Sequence, residues 1–235
     1  MNLAQYYCQN DRTFSFSRQQ ASDFAKQIAG DFNPLHDVET KKFCVPGDLL
    51  FTLALDKLGV SKQMNFTFCG MVSDNLELDY SDKAAEQLSI IDSADKEYLK
   101  IERSGELSGD SQLANSLAQR YVEFSGDTFP NILLPLMEQN NVMINPARPL
   151  VIYESMSISL NRLDFINPSL EVTHTELEVN GKRGRAILQF CFKVGDEVVG
   201  QGEKRMALSG LREFDAEVMT KVVADYQARK AGYNQ

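Results

Sequence analysis

Basic charge is in short supply in this chain. Twenty-four Lys and Arg stand against 33 Asp and Glu in 235 residues, a formal net charge of -9. Binding along a nucleic-acid backbone needs a basic surface, so the balance argues against nucleic acid as the main partner. The two basic clusters, Lys41-Lys42 and Lys182-Arg183-Gly184-Arg185, read as solvated loop charge. Long apolar runs are also missing. Nothing approaches the ~18 consecutive apolar residues of a membrane helix. Met1-Asn2-Leu3-Ala4-Gln5 lacks the basic start and apolar run of a secretory leader. The expectation is a cytoplasmic protein with no membrane partner.

Cysteine is sparse and unpaired in spacing. Cys8, Cys44, Cys69 and Cys191 form no C-x-x-C pair, which supports neither a zinc site nor a disulfide framework. Reduced, mostly buried thiols are expected, with Cys44 structural because only Lys41 and Lys42 lie near it as basic partners. There are two histidines. His174 lies in the strand-like Glu171-Val172-Thr173-His174-Thr175-Glu176 without metal-ligand neighbours, and reads as a surface or satisfied sheet position. No metal is expected.

What is present is an ordinary globular balance, 43% hydrophobic and 24% charged, with enough apolar surface for a core. Phe14-Ser15-Phe16-Ser17 alternates as a short strand. Ser17 and Gln20 have capping-box spacing for a helix that buries Phe24, Ala25 and Ile28 and ends at Gly30. Val45-Pro46-Gly47-Asp48 opens a second helix, apolar almost all round to Leu58 and closed by Gly59. Strands are predicted over 65–78, 87–92, 98–103 and 113–124. The pattern then restarts. Ser125-Gly126-Asp127 precedes an apolar helical stretch, 129–137, in which Pro130 suits a first turn and Pro135 predicts a break. Strands follow over 150–160, 170–179, 186–194 and 198–209, then a helix over 214–229. Ala186, Leu188, Phe190, Phe192 and Val194 share one face by period two, and Asn180-Gly181 and Gly195-Asp196 read as hairpin turns.

Placing Gly47-Asp48 over Gly126-Asp127 suggests an internal repeat of about 100 residues, each an apolar helix wrapped by antiparallel strands. The expected units are residues 1–124 and 125–235.

The chemistry-bearing stretch is Gly30-Asp31-Phe32-Asn33-Pro34-Leu35-His36. Pro34 biases Asn33 toward extended backbone, and a turn there brings Asp31 and His36 to either side of one substrate atom. A carboxylate and an imidazole so placed share acid–base work, one removing a proton while the other supplies one. Asn33 then orients either partner, and the Gly47 N–H, at a helix start, is suited to a developing oxyanion. The same residue types also make an ordinary interhelical turn. Both readings stand on the residues alone.

The stretch from Phe14 to His36, with Ala29-Gly30-Asp31-Phe32-Asn33-Pro34-Leu35-His36 at its end, resembles the signature of the MaoC-like hot dog proteins, the (R)-specific enoyl-CoA hydratases and related dehydratases. The likeness covers roughly residues 14–60. It implies an α+β double hot dog, two antiparallel sheets each wrapped around an apolar helix and joined side by side. It also implies hydration of an enoyl thioester, or dehydration of a 3-hydroxyacyl thioester, carried by coenzyme A or acyl carrier protein, without metal or redox cofactor. Asp31 and His36 become the catalytic pair, Asn33 a positioning residue and Gly47 the oxyanion donor. The partner is an acyl-thioester small molecule, and a double unit is complete as a monomer or pairs again as a homodimer.

The sequence departs from that pattern in its short connection, 37–46, and in Pro46, which stands where a second histidine is expected. The second half lacks the motif, so one site per chain is implied. A runner-up is a non-catalytic hot dog module that binds an acyl thioester or a protein partner. A thioesterase would need a carboxylate on the central helix, Asp48 or Asp56. Asp48 is expected instead to cap that helix, and Asp56 to face solvent.

Overall fold

The computed structural model describes residues 1–233. Two short strands, β1 (Cys8–Asn10) and β2 (Thr13–Ser15), lead into α1 (Arg18–Asp23). The capping box forms. The Ser17 hydroxyl accepts from the Gln20 N–H, and the Gln20 carboxamide oxygen accepts from the Ser17 N–H. A π-helical turn, Phe24–Ala29, continues α1 and ends at Gly30, whose φ is +68°. Phe24 and Ala25 are buried and Ile28 packs against the core.

Helix α2 (Gly47–Leu58) is buried along most of its length, because apolar residues occupy every face of its middle turns. It is followed by β3 (Val60–Phe68), β4 (Leu78–Tyr80), β5 (Gln87–Asp92) and β6 (Glu97–Ser108). The long strand expected over 65–78 is therefore two strands with a loop between them. The segment 113–124, expected as a strand, is helix α3 (Ser111–Gly126), capped by Asp110, whose carboxylate accepts from the Gln112 N–H. Leu113, Ala114, Leu117, Ala118, Tyr121 and Val122 recur at helical spacing, and all are buried. Helix α3 packs on α2.

The 129–137 stretch is two short helices, α4 (Thr128–Asn131) and α5 (Leu133–Gln139). Phe129, the residue before Pro130, is held in extended backbone (φ -108°, ψ 130°), and the two helices part at Ile132. Pro135 is accommodated in the first turn of α5, where its missing N–H costs nothing. Gly47-Asp48 begins a helix whereas Gly126-Asp127 ends one, so that alignment of the two halves does not hold. The expected boundary at 124/125 falls inside α3.

The remaining strands are β7 (Val142–Met143), β8 (Val151–Leu160), β9 (Ser169–Asn180), β10 (Arg183–Val194), β11 (Glu197–Ser209) and β12 (Arg212–Glu213), followed by α6 (Ala216–Tyr233). Ten strands form one antiparallel sheet in the order β1-β2-β4-β5-β6-β3-β8-β11-β10-β9, and β7 with β12 makes a separate ribbon. The β3–β8 pairing, Gln63 opposite Ser159 through Thr67 opposite Ser155, joins the two halves of the chain into a continuous sheet. The architecture is α+β. The period-two face of β10 divides its contacts: Phe190 and Phe192 join the core around α2 and α3, while Ala186 and Leu188 pack with Leu133, Met137 and Met219 of α5 and α6. No helix among the described residues is long and apolar enough to cross a membrane.

Candidate active site

The Gly30–His36 stretch is built by its own backbone chemistry. The Asp31 N–H donates to the Ala25 carbonyl (2.8 Å), closing the π turn. One Asp31 carboxylate oxygen accepts from the Asn33 N–H (2.9 Å), and the Asn33 side chain accepts from the Leu35 N–H (3.1 Å), an Asx turn feeding a capped 3₁₀ turn over Pro34–His36. Asn33 thus shapes the loop that aims the pair. Tyr226 of α6 secures the loop from outside: its hydroxyl accepts from the Phe32 N–H (3.2 Å) and donates to the Gly30 carbonyl (3.4 Å).

These constraints bring His36 Nε2 to 3.7 Å from Asp31 Oδ2. That is longer than a hydrogen bond, so both atoms retain capacity for a third. His36 Nδ1 lies 2.7 Å from the Cys44 carbonyl oxygen. A carbonyl only accepts, so Nδ1 carries a proton and Nε2 is the working nitrogen. The short 37–46 connection is firmly tied. The Arg18 guanidinium donates to the Val38 and Thr40 carbonyls (2.9 Å each), Lys26 pairs with Asp37 (2.9 Å), and the Val45 N–H reaches the Val72 carbonyl.

Asp31, Asn33, His36 and Gly47 all line one cavity of about 710 Å³. Leu133, Ile144, Met206, Val218 and Val222 are among the apolar residues of its wall. Gly47 is required by close approach. A Cβ there would come within 2.8 Å of the Phe68 ring and 3.2 Å of Tyr153, two rings stacked at 4.2 Å. A side chain at this position would have to displace one of the two rings. As the first residue of a helix, Gly47 has an N–H with no intrahelical acceptor.

The structure adds three residues that sequence reasoning missed or misplaced. Asp48 makes no cap. The residue is 8% exposed, its carboxylate accepts from the Ser125 hydroxyl (Oδ2, 2.6 Å), and Ser125 in turn accepts from Lys204 Nζ (2.5 Å). Ser125 and Lys204 are also buried, and all three line the cavity. Burial pushes the Asp48 carboxyl up and the Lys204 ammonium down, while the opposite charge of each pulls the other back. Lys204 lies 4.7 Å from the centre of the Tyr153 ring, a cation–π contact, and the Tyr153 hydroxyl meets that of Tyr121. Ser125 reaches this place because Gly126 lets α3 touch the π turn: a Cβ on Gly126 would sit 1.9 Å from the Ala29 carbonyl oxygen.

Asp56 is largely solvent-facing, as expected. His174 is exposed on β9, 3.7 Å from Glu176. Cys44 lines the cavity, but burial pushes its thiol up to about 11, which suits a structural rather than a nucleophilic role. Among the described residues, no group of three or more His, Cys, Asp or Glu side chains is placed to hold a metal ion.

Fold and site together define an α+β protein with a carboxylate–imidazole pair and a buried carboxylate–serine–lysine cluster on one largely apolar cavity. The chain belongs to the family described as Protein of unknown function (DUF3581), whose model matches residues 1–217. No curated protein sequence matches it. Among solved structures it is similar to a tesB protein of Mycobacterium avium subs paratuberculosis, at 8% identity, over 88% of this chain and 97% of that one, with TM-score 0.48. It is also similar to a conserved protein of unknown function with hot dog fold from Alicyclobacillus acidocaldarius (6% identity, 89% and 98% covered, TM-score 0.49). A third is a MaoC-like dehydratase (8% identity, 88% and 98% covered, TM-score 0.44).

Proposed function

We propose that this chain is a MaoC-like hydratase or dehydratase acting on an enoyl or 3-hydroxyacyl thioester, in a double hot dog arrangement whose halves meet at β3–β8. The observation that carries the reading is the Asp31–His36 pair. Its two side chains stand 3.7 Å apart on the wall of a cavity of about 710 Å³, with the histidine's other nitrogen fixed by the Cys44 carbonyl.

In the hydration direction, one member of the pair takes a proton from water as its oxygen adds to the β carbon. The other member supplies a proton to the α carbon. A proton passed between Asp31 and His36 through one bridging water then restores the pair. Negative charge gathers meanwhile on the thioester oxygen, for which the Gly47 N–H and the positive end of α2 are the available donors. The acyl chain lies toward Leu133, Ile144 and Met206, and the carrier, coenzyme A or acyl carrier protein, remains at the mouth. The chemistry calls on no metal or redox cofactor.

The test is loss of the enoyl-thioester absorbance with crotonyl-CoA and longer enoyl-CoAs, comparing wild type with His36→Ala, while free thiol is measured in parallel. Signal loss in wild type alone, without thiol release, is the expected result. Equal rates in the two proteins would remove the pair from the chemistry. Thiol release without hydration would make the protein a thioesterase. Tight binding of acyl-CoA with no turnover in wild type would make it a binding module.

A further inference from the structure

Tyr226 comes to the candidate site from near the end of the chain and takes no part in the proton transfers proposed above. The residue is 8% exposed, and its ring packs edge-on against Phe32 and Phe129, with 6.2 Å and 5.2 Å between ring centres. Helix α6 is fastened on either side of it. Met219 is buried in one cluster with Leu133 and Met137 of α5. Arg229 pairs with Asp37 (3.2 Å), and the Tyr233 hydroxyl accepts from the Gln27 carboxamide (3.0 Å) and donates to Asp23 (3.2 Å). Burial, with the charge of Asp31 nearby, pushes the Tyr226 hydroxyl up to about 12. It therefore keeps its proton at neutral pH and can donate and accept at once.

The two bonds of that hydroxyl straddle Asp31. The Gly30 carbonyl, which accepts from it at 3.4 Å, belongs to the peptide plane before Asp31, and the Phe32 N–H, which donates to it at 3.2 Å, belongs to the plane after. Peptide units are rigid, so φ and ψ of Asp31 are the rotations between those two planes. One hydroxyl that holds both planes restrains both rotations. The Ala25 carbonyl secures the first plane again, through the Asp31 N–H (2.8 Å). With the planes fixed, the direction of the Asp31 side chain is fixed. The Asn33 N–H then holds Oδ1 (2.9 Å) and leaves Oδ2 facing His36 Nε2. His36 is set by other means, the 3₁₀ turn after Asn33 and the Cys44 carbonyl.

We propose that Tyr226 is a positioning residue for Asp31, its hydroxyl setting the loop backbone so that the carboxylate meets His36 and the substrate in the reactive geometry. The proposal rests on the thioester reading above. It makes α6 part of the site: a helix over Ala216–Tyr233 aims a reacting group that lies at position 31. The hydroxyl is already spent on two backbone groups, so its role is to hold the pair and not to exchange protons with the substrate.

A double-mutant cycle of Tyr226→Phe with Asp31→Asn tests this on the full chain, using the enoyl-CoA assay. Tyr226→Phe keeps the ring between Phe32 and Phe129 and removes only the hydroxyl. It should lower kcat roughly 10- to 100-fold, the scale of a small misplacement of a reacting group, with KM changed less than about 3-fold. In the Asp31→Asn background the same substitution should change kcat less than about 2-fold, because the carboxylate it positions is gone. Amide hydrogen exchange reads the geometry without turnover. The Asn33 N–H, whose acceptor is the Asp31 carboxylate, should exchange ~10-fold or more faster in Tyr226→Phe. The Cys44 N–H, which donates to the Leu35 carbonyl beside His36 (3.0 Å), should keep its rate. An unchanged kcat, an unchanged Asn33 exchange rate, or the same factor lost in both backgrounds overturns the proposal. So does a wild-type Phe32 N–H that exchanges at the free rate, a result that needs no variant to fold. Wild type that turns over no enoyl-CoA, with the exchange rates as expected, overturns the thioester reading and leaves Tyr226 as the residue that holds Asp31.

Discussion

Replacing Lys204 with Met tests whether its ammonium is the counter-charge of Asp48. In the wild type Lys204 is 4% exposed, donates to Ser125 at 2.5 Å and lies over the Tyr153 ring. Met has a similar length and suits an apolar wall, so packing changes little. What is lost is the charge, leaving Asp48 buried with Ser125 as its only donor. Stranding one partner of a buried pair costs about 3–5 kcal/mol. The companion Asp48→Asn/Lys204→Met removes both charges and should recover most of that loss.

The pH dependence has a definite sign. Burial already raises the Asp48 carboxyl, and the Lys204 charge is the main influence holding it down. Without Lys204 its folded-state pKa climbs further above the unfolded value. Its contribution to stability is then fully present below the unfolded carboxylate pKa and lost as pH rises through the raised folded value. Urea unfolding from pH 4 to 8 should show Lys204→Met falling steadily behind the double variant as pH increases. A loss under about 1 kcal/mol in Lys204→Met, with the wild-type pH slope, would refute the counter-charge argument.

Asp31→Asn and His36→Ala should each lower turnover by roughly 10²–10⁴-fold while leaving the circular dichroism spectrum unchanged; unfolding of both would make them structural instead. Gly126→Ala should destabilise by at least about 1–3 kcal/mol, since its methyl group meets the Ala29 backbone rather than a movable side chain. An unchanged melting temperature would disprove that close contact. With its thiol pushed up to about 11, Cys44 should react with a thiol reagent at pH 8 far more slowly than exposed Cys8 and Cys69, and gain rate as pH rises. Equal rates at the three would contradict the buried setting.

Much of this fold was legible where a local rule acts alone. The strand over 87–92 and the capping box at Ser17 need only nearby residues, and the structure places them as the sequence suggests. Helix α3 is ambiguous in sequence because Tyr121, Val122 and Phe124 suit strands, while Leu113, Leu117 and Tyr121 fall at helical spacing. The same ambiguity turned Ser125-Gly126-Asp127 from a helix end into a helix start. The proline break moved because Pro130 constrains the residue before it, whereas Pro135 found a first turn to occupy.

The candidate site divides along similar lines. Asp31, Asn33 and His36 sit within one turn, so their convergence is local chemistry. Asp48, Ser125 and Lys204 come from two helices and a strand, and Ser125 and Lys204 are 79 residues apart. No spacing rule joins them, yet each carried a trace. Lys204 has the strand parity of Met206 and Leu208, which are buried, so its flanking charges Glu203 and Arg205 disguised an inward-facing cation. Ser125 lies four residues beyond Tyr121 on the buried face of α3, and Asp48 follows the glycine that lets α2 approach. A polar residue in a buried phase must find a partner, and three such residues on separate elements point to one another before any contact is known. That inference becomes available only once each element has its correct period. The ambiguous period of 113–124 conceals the buried phase of Ser125, and with it the cluster.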